Sequence, residues 1–212
     1  MSASVISIDQ SNSCGFLDVI IGPMFSGKTN YLLKELTIFS IMGAKVLYIN
    51  HSLDTRAEKF STHNPMIKEN DSINSIGLNI EYVKTDNLKS LENICENYMV
   101  IGIDEAQFFT GLKDFVLELV ENKGKRVIVS GLSGDFKRES FGEIVNLISY
   151  CDRITKLSSF CQTCSQHKKI KEAHFSHKFK INSTGDDNNI CVGGKREYIP
   201  VCRECYKLYE VI

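Results

Sequence analysis

The chain has 212 residues, of which 42% are hydrophobic, which suffices for one α/β domain with a small appendage and excludes a disordered protein. Its formal net charge of −1 and pI near 6.5 provide no overall attraction for nucleic acid or an anionic membrane, so a small substrate is favoured over a polymer. Residues 1–14 lack the basic start and apolar core of a secretory signal, and no later apolar run reaches the ~20 residues of a membrane helix, so we expect a flexible tail on a cytoplasmic protein.

The first motif in the chain is a phosphate-binding loop. Residues 22–29 fit the pattern G-x-x-x-x-G-K-[ST] between an apolar run and a helix-like segment. In such a loop, backbone N–H groups bind phosphate oxygens, the lysine reaches the β- and γ-phosphates, and the final hydroxyl ligates Mg²⁺. An ordinary glycine turn is the alternative interpretation. The predicted ATP and Mg²⁺ site contains Gly22, Pro23, Met24, Phe25, Ser26, Gly27, Lys28 and Thr29.

Short apolar runs without alternation indicate parallel strands that are covered on both faces. These runs are residues 16–21, 45–49, 99–103 and 126–130. Helical patterns lie between them, and the clearest spans residues 112–120 before Gly124. The alternation predicts an α/β fold with a doubly wound parallel sheet that binds ligands at the carboxyl ends of its strands.

The composition changes near residue 157, where the alternation of strands and helices gives way to a cysteine-bearing segment. We therefore expect a tail over residues 1–14, an ATP-binding α/β domain over 15–157, and a small metal-binding lobe over 158–212.

Two adjacent carboxylates, Asp104 and Glu105, follow the apolar run at 99–103. In a phosphate-loop fold this position lies beside the loop, where a Mg²⁺-associated aspartate and a general base are expected. A solvated acidic turn is one alternative. A helicase-type DEAD/DEAH box is another alternative. Such motors need two domains and a basic nucleic-acid track, whereas this chain has room for one such domain and a balanced charge.

Four of the eight cysteines form two C-x-x-C pairs, which are typical of a structural Cys₄ zinc site. The predicted ligands are Cys161, Cys164, Cys202 and Cys205. An iron–sulfur or redox centre, or incidental reduced cysteines, are the alternatives. We interpret the nearby His167, His174 and His177 as surface residues rather than ligands.

Together these motifs resemble one family, the thymidine kinases of the cellular, zinc-containing type. The matching segments are the loop at 22–29, Asp54-Thr55-Arg56, the Asp-Glu-Ala-Gln-Phe-Phe run at 104–109, the Gly-Leu…Phe…Phe-Gly stretch at 131–142, and a lasso-like Cys-Val-Gly-Gly at 191–194 with Tyr198. They extend from Leu17 to Tyr206.

The resemblance implies a RecA-like phosphate-loop sheet flanked by helices, with a C-terminal zinc-ribbon and lasso lobe. It implies transfer of the γ-phosphoryl group of ATP to the 5′-hydroxyl of thymidine, and deoxyuridine as a further substrate, to supply dTMP for nucleotide salvage and DNA synthesis. Glu105 would be the general base, and Asp104 would be linked to Mg²⁺ through water. A homotetramer and feedback inhibition by dTTP are also implied, and neither a membrane nor a nucleic acid is an expected partner.

The resemblance assigns further binding residues. Those on the ATP side are Asp54, Thr55, Arg56 and Gln107. Those on the nucleoside side are Phe108, Leu132, Phe136, Phe141, Ser176, Asn189, Ile190, Cys191, Val192, Gly193 and Tyr198. The chain has Ser133 where the family usually has Asp, so that carboxylate is either absent or supplied by Asp135.

Loss of zinc should weaken nucleoside binding before ATP binding. The competing functional hypothesis is a phosphate-loop ATPase or zinc-ribbon module that acts on nucleic acid, whose hydrolysis of ATP would be stimulated by DNA or RNA.

Overall fold

The computed structural model describes residues 14–54, 79–178 and 198–210. Its centre is a sheet of six parallel strands in the order β3-β2-β4-β5-β1-β6. These strands are β1 (Phe16–Ile21), β2 (Val46–His51), β3 (Ile80–Thr85), β4 (Val100–Ile103), β5 (Arg126–Gly131) and β6 (Arg153–Lys156). The parallel sheet predicted from the sequence is confirmed.

The four strands at the centre of the sheet are the ones that the apolar runs predicted, and they are almost entirely buried. The two edge strands were missed. β3 and β6 are partly exposed along their length and carry charged residues, so neither forms the continuous apolar run that indicates a strand covered on both faces.

Helices cover both faces of the sheet. The long helix α1 (Lys28–Ile41) packs Leu32 and Leu36 on one face. Leu36 lies so close to β4 that a Cβ at Gly102 would be 2.5 Å from its Cδ1 atom. The other face is covered by α2 (Glu92–Cys95), by α3 (Leu112–Leu117) and by 3₁₀ turns. Of the helices in the described residues, none is long and apolar enough to cross a membrane.

The helical pattern predicted over residues 112–120 is present, but it is not one regular α-helix. After α3 the backbone widens into a π-helical turn at Glu118–Asn122, in which Lys123 N donates to Glu118 O at 3.1 Å. The apolar spacing survives this change because Leu119 and Val120 still face the core.

The C-terminal part of the described chain forms a separate cluster of small elements, which we call the cysteine lobe (residues 159–178 and 198–210). Its elements are β7 (Ser159–Phe160), α4 (Gln162–Gln166), β8 (Glu172–Ala173), β9 (Phe175–Lys178), β10 (Tyr198–Val201) and α5 (Arg203–Glu210). β7 pairs with β8, and β9 pairs with β10, both antiparallel. Its buried core is small and contains all four paired cysteines, as expected for a unit that a metal stabilises.

Candidate active site

The phosphate loop connects β1 to α1 through left-handed backbone. Gly27 has φ 80° and Phe25 has φ 61°, and the second value is uncommon for a residue with a side chain. The Lys28 ammonium reaches back across the loop and donates to the Pro23 carbonyl at 2.9 Å. Lys28 is the first residue of α1 and Gly27 caps it, so the lysine lies at a helix N-terminus, where a polyphosphate would bind.

Close packing explains why glycine is needed at the start of this loop. A Cβ at Gly22 would lie 2.7 Å from Ser26 Oγ and 2.8 Å from the Leu157 carbonyl oxygen. The Ser26 hydroxyl is buried and has no hydrogen-bond partner among the residues that the structure describes. A bound phosphate would supply an acceptor for this hydroxyl, whose burial without a partner costs about 1–3 kcal/mol.

The loop is also bonded to the cysteine lobe. Met24 N donates to Ser176 Oγ at 2.9 Å, and Ser159 Oγ donates to the Phe25 carbonyl at 3.1 Å. A cleft of about 130 Å³ opens between the loop and the lobe. It is lined by the start of the loop, by residues 133–135 and 174–176, and by Arg138 and Lys156.

Asp104 is buried at the carboxyl end of β4, beside the phosphate loop. Its carboxylate accepts hydrogen bonds from Ser130 Oγ at 2.8 Å, from Tyr48 Oη at 3.1 Å and from Glu105 N at 3.0 Å, and Thr29 also donates to it. Burial and the neighbouring Glu105 charge raise the pKa of Asp104, while the Thr29 and Ser130 hydrogen bonds oppose that rise. The two residues expected at the Mg²⁺ site, Thr29 and Asp104, are thus in direct contact.

Glu105 lies at a strained point of the backbone. Its φ of 50° and ψ of 38° place it in the left-handed region, which costs a residue with a Cβ roughly 1–2 kcal/mol. Such strain concentrates at functional sites, where the surrounding structure maintains it. Here the strained residue directly follows Asp104, and its carboxylate accepts a hydrogen bond from Gln107.

Gln107 holds this carboxylate in place. Its Nε2 atom donates to Glu105 Oε2 at 2.7 Å, and its Oε1 atom accepts from Leu132 N at 2.9 Å. The side chain is buried, and a Cβ at Gly131 would lie 2.6 Å from its Oε1 atom. The amide therefore links the ends of β4 and β5 and fixes the orientation of Glu105.

Asp54 is held at the end of β2 by a compact hydrogen-bonded turn. Asn50 Nδ2 donates to its carboxylate at 3.0 Å, and the Lys84 ammonium donates to its carbonyl. Within the turn, Leu53 N donates to His51 Nδ1 at 3.1 Å. Burial lowers the pKa of His51, which favours the neutral imidazole that can accept this bond.

Two of the predicted nucleoside-binding aromatics lie together. The Phe108 and Phe141 rings are 5.5 Å apart, edge to face, and His51 lies against Phe108 at 5.6 Å. Phe136 lies on the adjoining segment, where its carbonyl accepts from Tyr206 Oη of α5 at 2.7 Å. Ser176, on β9, contacts the phosphate loop, and Tyr198 is the first residue of β10.

The four cysteines of the two C-x-x-C pairs converge in the cysteine lobe. All four are buried, and their Sγ atoms lie within 4.8 Å of one another. Cys164 Sγ is 3.9 Å from Cys202 Sγ and 3.6 Å from Cys205 Sγ. These separations fit a tetrahedral zinc site, because Zn–S bonds of about 2.3 Å place the sulfurs about 3.8 Å apart. The residues therefore fit a closed structural metal site.

Hydrogen bonds favour the thiolate form that a metal requires at Cys161, whereas burial raises the pKa of Cys164 and Cys205. Burial raises the pKa of Cys161, but hydrogen bonds at Cys164 and Cys202 outweigh it, so the pKa falls to about 7. The nearby histidines lie outside the cluster: His174 faces Glu172 at 3.5 Å, and His177 stacks on Tyr209 at 4.4 Å.

Comparison with known proteins identifies the family. A family model described as thymidine kinase matches residues 15–206. The chain is also 38% identical over 192 residues to the thymidine kinase of Amsacta moorei entomopoxvirus, which covers 90% of this chain and 97% of the relative. The chain belongs to the thymidine kinase family. Thymidine kinase 1 of Dictyostelium discoideum is 36% identical, and the alignment covers 91% of this chain and 78% of the relative. The cytosolic thymidine kinase of Cricetulus griseus is 32% identical, and the alignment covers 96% of this chain and 78% of the relative.

Most of the site residues that the resemblance to the thymidine kinase family assigned can be located in the structure. The phosphate loop and Asp54, Asp104 and Glu105 lie at the same edge of the sheet, at the carboxyl ends of β1, β2 and β4. The remaining assigned residues lie outside the described part of the chain and keep their roles as predictions. They are Thr55, Arg56, Asn189, Ile190, Cys191, Val192 and Gly193.

Gln107 makes two contacts that the resemblance did not suggest: its amide contacts Glu105 and the backbone of Leu132. Its assignment to the ATP side of the site stays a prediction. The sequence could not reveal this link, because residue 132 follows the next strand along the sheet.

Asp135 is the residue that could supply the carboxylate missing at Ser133, and this role stays a prediction. Its Oδ1 atom accepts from Lys137 N at 2.8 Å and from Glu139 N at 2.9 Å, so it closes a turn on its own segment. Ser133 and Asp135 both line the cleft beside the phosphate loop.

Replacing Gln107 by Met should lower kcat for thymidine phosphorylation about 10- to 100-fold, with smaller changes in KM. The side chain keeps its length but loses the donor to Glu105, and a hydrogen bond to a charged group contributes about 1.5–3 kcal/mol. Steady-state kinetics would measure this change, with the exposed Gln162→Met as the matched control. An unchanged kcat would show that Glu105 does not depend on the amide.

Gly142→Ala should destabilise the fold by about 3 kcal/mol or more. Gly142 has φ 64°, and an added Cβ would lie 2.2 Å from the Gln107 carbonyl oxygen. Gly111→Ala is a matched control, because its φ is 69° and no atom lies within 4 Å of the added Cβ, so it should cost only about 1 kcal/mol. Urea unfolding would compare the two free energies, and equal losses would contradict the steric argument.

Proposed function

We propose that this chain transfers the γ-phosphoryl group of ATP to the 5′-hydroxyl of thymidine, with Glu105 as the general base. The observation that supports this most directly is the position of Glu105. Its carboxylate is fixed by the Gln107 amide, next to Asp104 and Thr29, at the edge of the sheet where the phosphate loop lies. The relatives named thymidine kinase support the choice of substrate.

In the proposed reaction, Glu105 accepts the proton of the 5′-hydroxyl as the oxygen attacks the γ-phosphorus. General base catalysis of this kind contributes on the order of 10²–10⁴-fold. The loop N–H groups and Lys28 bind the phosphate oxygens and stabilise the charge that develops on them. Most of the remaining acceleration comes from holding the two substrates in line.

Asp104 and Thr29 are the residues that would hold Mg²⁺. Their mutual hydrogen bond brings a carboxylate and a hydroxyl together at the phosphate loop, and hard oxygen ligands of this kind suit Mg²⁺. When bound, the ion would neutralise charge on the phosphates. We propose that Asp54, Thr55 and Arg56 complete the ATP side, where Arg56 would pair with phosphate oxygens.

On the nucleoside side, we propose that Phe108, Phe136 and Phe141 enclose the base and that Leu132 and Ser176 line the same pocket. The edge-to-face pair of Phe108 and Phe141 supports this, since rigid aromatic walls bury a planar base at little entropic cost. The backbone of residues 189–193 would bind the edge of the thymine, and Tyr198 would close the pocket.

The Cys₄ site would hold a structural zinc ion, since four thiolates leave no ligand position open for catalysis.

We further propose dTTP as a feedback inhibitor, because it joins thymidine to a triphosphate that the phosphate loop could bind. A homotetramer and a role in nucleotide salvage are supported by the family relationship, and a cytoplasmic location by relatives named cytosolic. The division at residues 157 and 158 is proposed because β6 completes the sheet at Lys156 and the cysteine lobe begins at Ser159.

The proposed function can be tested with the purified chain, Mg-ATP and a panel of nucleosides, with and without single-stranded DNA. We expect ADP to form in step with thymidine monophosphate. ADP release that responds to the DNA and not to thymidine would instead indicate a nucleic-acid-dependent ATPase.

A further inference from the structure

The cysteine lobe contacts both substrate loops through side-chain hydroxyls. Ser159 Oγ donates to the Phe25 carbonyl and Ser176 Oγ accepts from Met24 N, both in the phosphate loop. Tyr206 Oη donates to the Phe136 carbonyl, in the segment that carries a nucleoside-side aromatic. Three hydroxyls of the lobe thus bond to the backbone of the two loops that would hold ATP and thymidine.

Each of these hydroxyls is close in the chain, or across a strand pair, to a cysteine of the Cys₄ cluster. Ser159 lies two residues before Cys161, and Tyr206 directly follows Cys205. Ser176 is paired across the β9–β10 ladder with Pro200, which lies two residues before Cys202. The three hydroxyls therefore lie within two residues, directly or through a strand pair, of Cys161, Cys202 and Cys205.

The phosphate loop needs support from outside its own backbone. Phe25 is in the left-handed region at φ 61°, a conformation that costs a residue with a Cβ about 1–2 kcal/mol. Ser159 bonds to the carbonyl of this same residue at 3.1 Å, and Ser176 bonds to the N–H of the residue before it at 2.9 Å. The two bonds hold the peptide group that follows Phe25 and the one that joins Pro23 to Met24.

The third hydroxyl is itself held firmly. The Tyr206 side chain is buried, the Arg138 guanidinium lies 4.2 Å from the centre of its ring, and Phe175 packs against it at 5.6 Å. Its bond of 2.7 Å to Phe136 therefore fixes the backbone from which that aromatic side chain projects.

We propose that Ser159, Ser176 and Tyr206 are positioning residues through which the metal-binding lobe sets the conformation of both substrate loops. Ser159 would act on ATP binding and Tyr206 on nucleoside binding, and Ser176, which we also place in the nucleoside pocket, would act on both. The inference rests on the proposed function for the identity of the two ligands. It also implies that loss of the metal weakens the binding of both substrates together.

The test compares single-hydroxyl variants of the full, metal-loaded chain. Isothermal titration calorimetry would measure Kd for ATP and, separately, Kd for thymidine. Ser159→Ala should raise Kd for ATP about threefold to tenfold, as expected for the loss of one hydrogen bond, and leave Kd for thymidine within twofold. Tyr206→Phe should raise Kd for thymidine by a similar factor and leave Kd for ATP within twofold. Ser159→Thr should bind ATP like the wild type because threonine keeps the hydroxyl.

Two matched controls lose a hydroxyl whose bond stays within the lobe. Ser165 Oγ donates to the Gln162 carbonyl at 2.7 Å, and Tyr209 Oη lies 3.1 Å from Thr163 Oγ1. Ser165→Ala and Tyr209→Phe should leave both Kd values within twofold, with one metal ion retained per chain in every variant.

The proposal is overturned if Ser159→Ala and Tyr206→Phe bind both ligands like the wild type, or if they change both affinities equally. A wild-type chain that binds ATP but does not phosphorylate thymidine would contradict the proposed function instead. In that case the effect of Ser159→Ala on ATP affinity would still decide the inference for the phosphate loop.

Discussion

Replacing Glu105 by Gln should lower kcat for thymidine phosphorylation on the order of 10²–10⁴-fold while leaving the Kd values for ATP and thymidine within about threefold. The substitution removes the proton acceptor, together with the charge that raises the pKa of Asp104, and leaves the shape of the side chain nearly unchanged. The amide keeps an oxygen that can accept from Gln107 Nε2, and the side chain keeps its length on the same left-handed backbone. Rapid-quench kinetics together with equilibrium binding would separate the chemical step from substrate affinity.

Glu121→Gln provides the matched control for this substitution. It makes the same change of charge on an exposed residue of the π-helical turn, far along the chain from the phosphate loop. Near-wild-type turnover in Glu105→Gln, with the control also unaffected, would exclude Glu105 as the base.

Replacing Cys202 by Ser should abolish stoichiometric metal binding and unfold the cysteine lobe. The four sulfurs lie within 4.8 Å of one another in a core that contains few other large side chains. Since structural zinc supplies about 10–16 kcal/mol of apparent binding free energy in small zinc-binding peptides, a lobe of this size should not stay ordered without it. Elemental analysis and limited proteolysis of the purified variant would show both losses.

The exposed Cys14 is the appropriate control for this experiment. Cys14→Ser should keep one metal ion per chain and the wild-type pattern of proteolysis. A Cys202→Ser variant that still held equimolar zinc would contradict the four-cysteine site.

The sequence predicted those parts of the fold that form a continuous apolar run or match a fixed motif. The buried strands β1, β2, β4 and β5 are continuous apolar runs, and the phosphate loop has a fixed pattern next to one of them. The edge strands β3 and β6 were not predicted, because partial exposure mixes charged residues into them. The π-helical turn after α3 leaves the apolar spacing unchanged, so it has no signature in the sequence.

For the candidate site, the sequence indicated which residues are candidates for catalysis and binding, but not which other residues fix their side chains in position. Asp104 and Glu105 were predicted from their position after a strand, whereas the bond from Gln107 to Leu132 joins residues 25 positions apart. Likewise, the sequence suggested that zinc loss would affect nucleoside binding first. The contacts of Ser159 and Ser176 with the phosphate loop lead us to expect both affinities to fall together.

The left-handed backbone at Glu105 sets stability against activity at a single position. Glycine would adopt the same φ and ψ without steric cost, so the residue that best suits this backbone is one that has no carboxylate. A chain selected for thermal stability alone would drift toward glycine or asparagine at this position, whereas selection for turnover would retain the glutamate that we propose as the general base. In directed evolution of this fold, we therefore expect substitutions at residue 105 that raise the melting temperature to lower kcat, because they remove the proposed base.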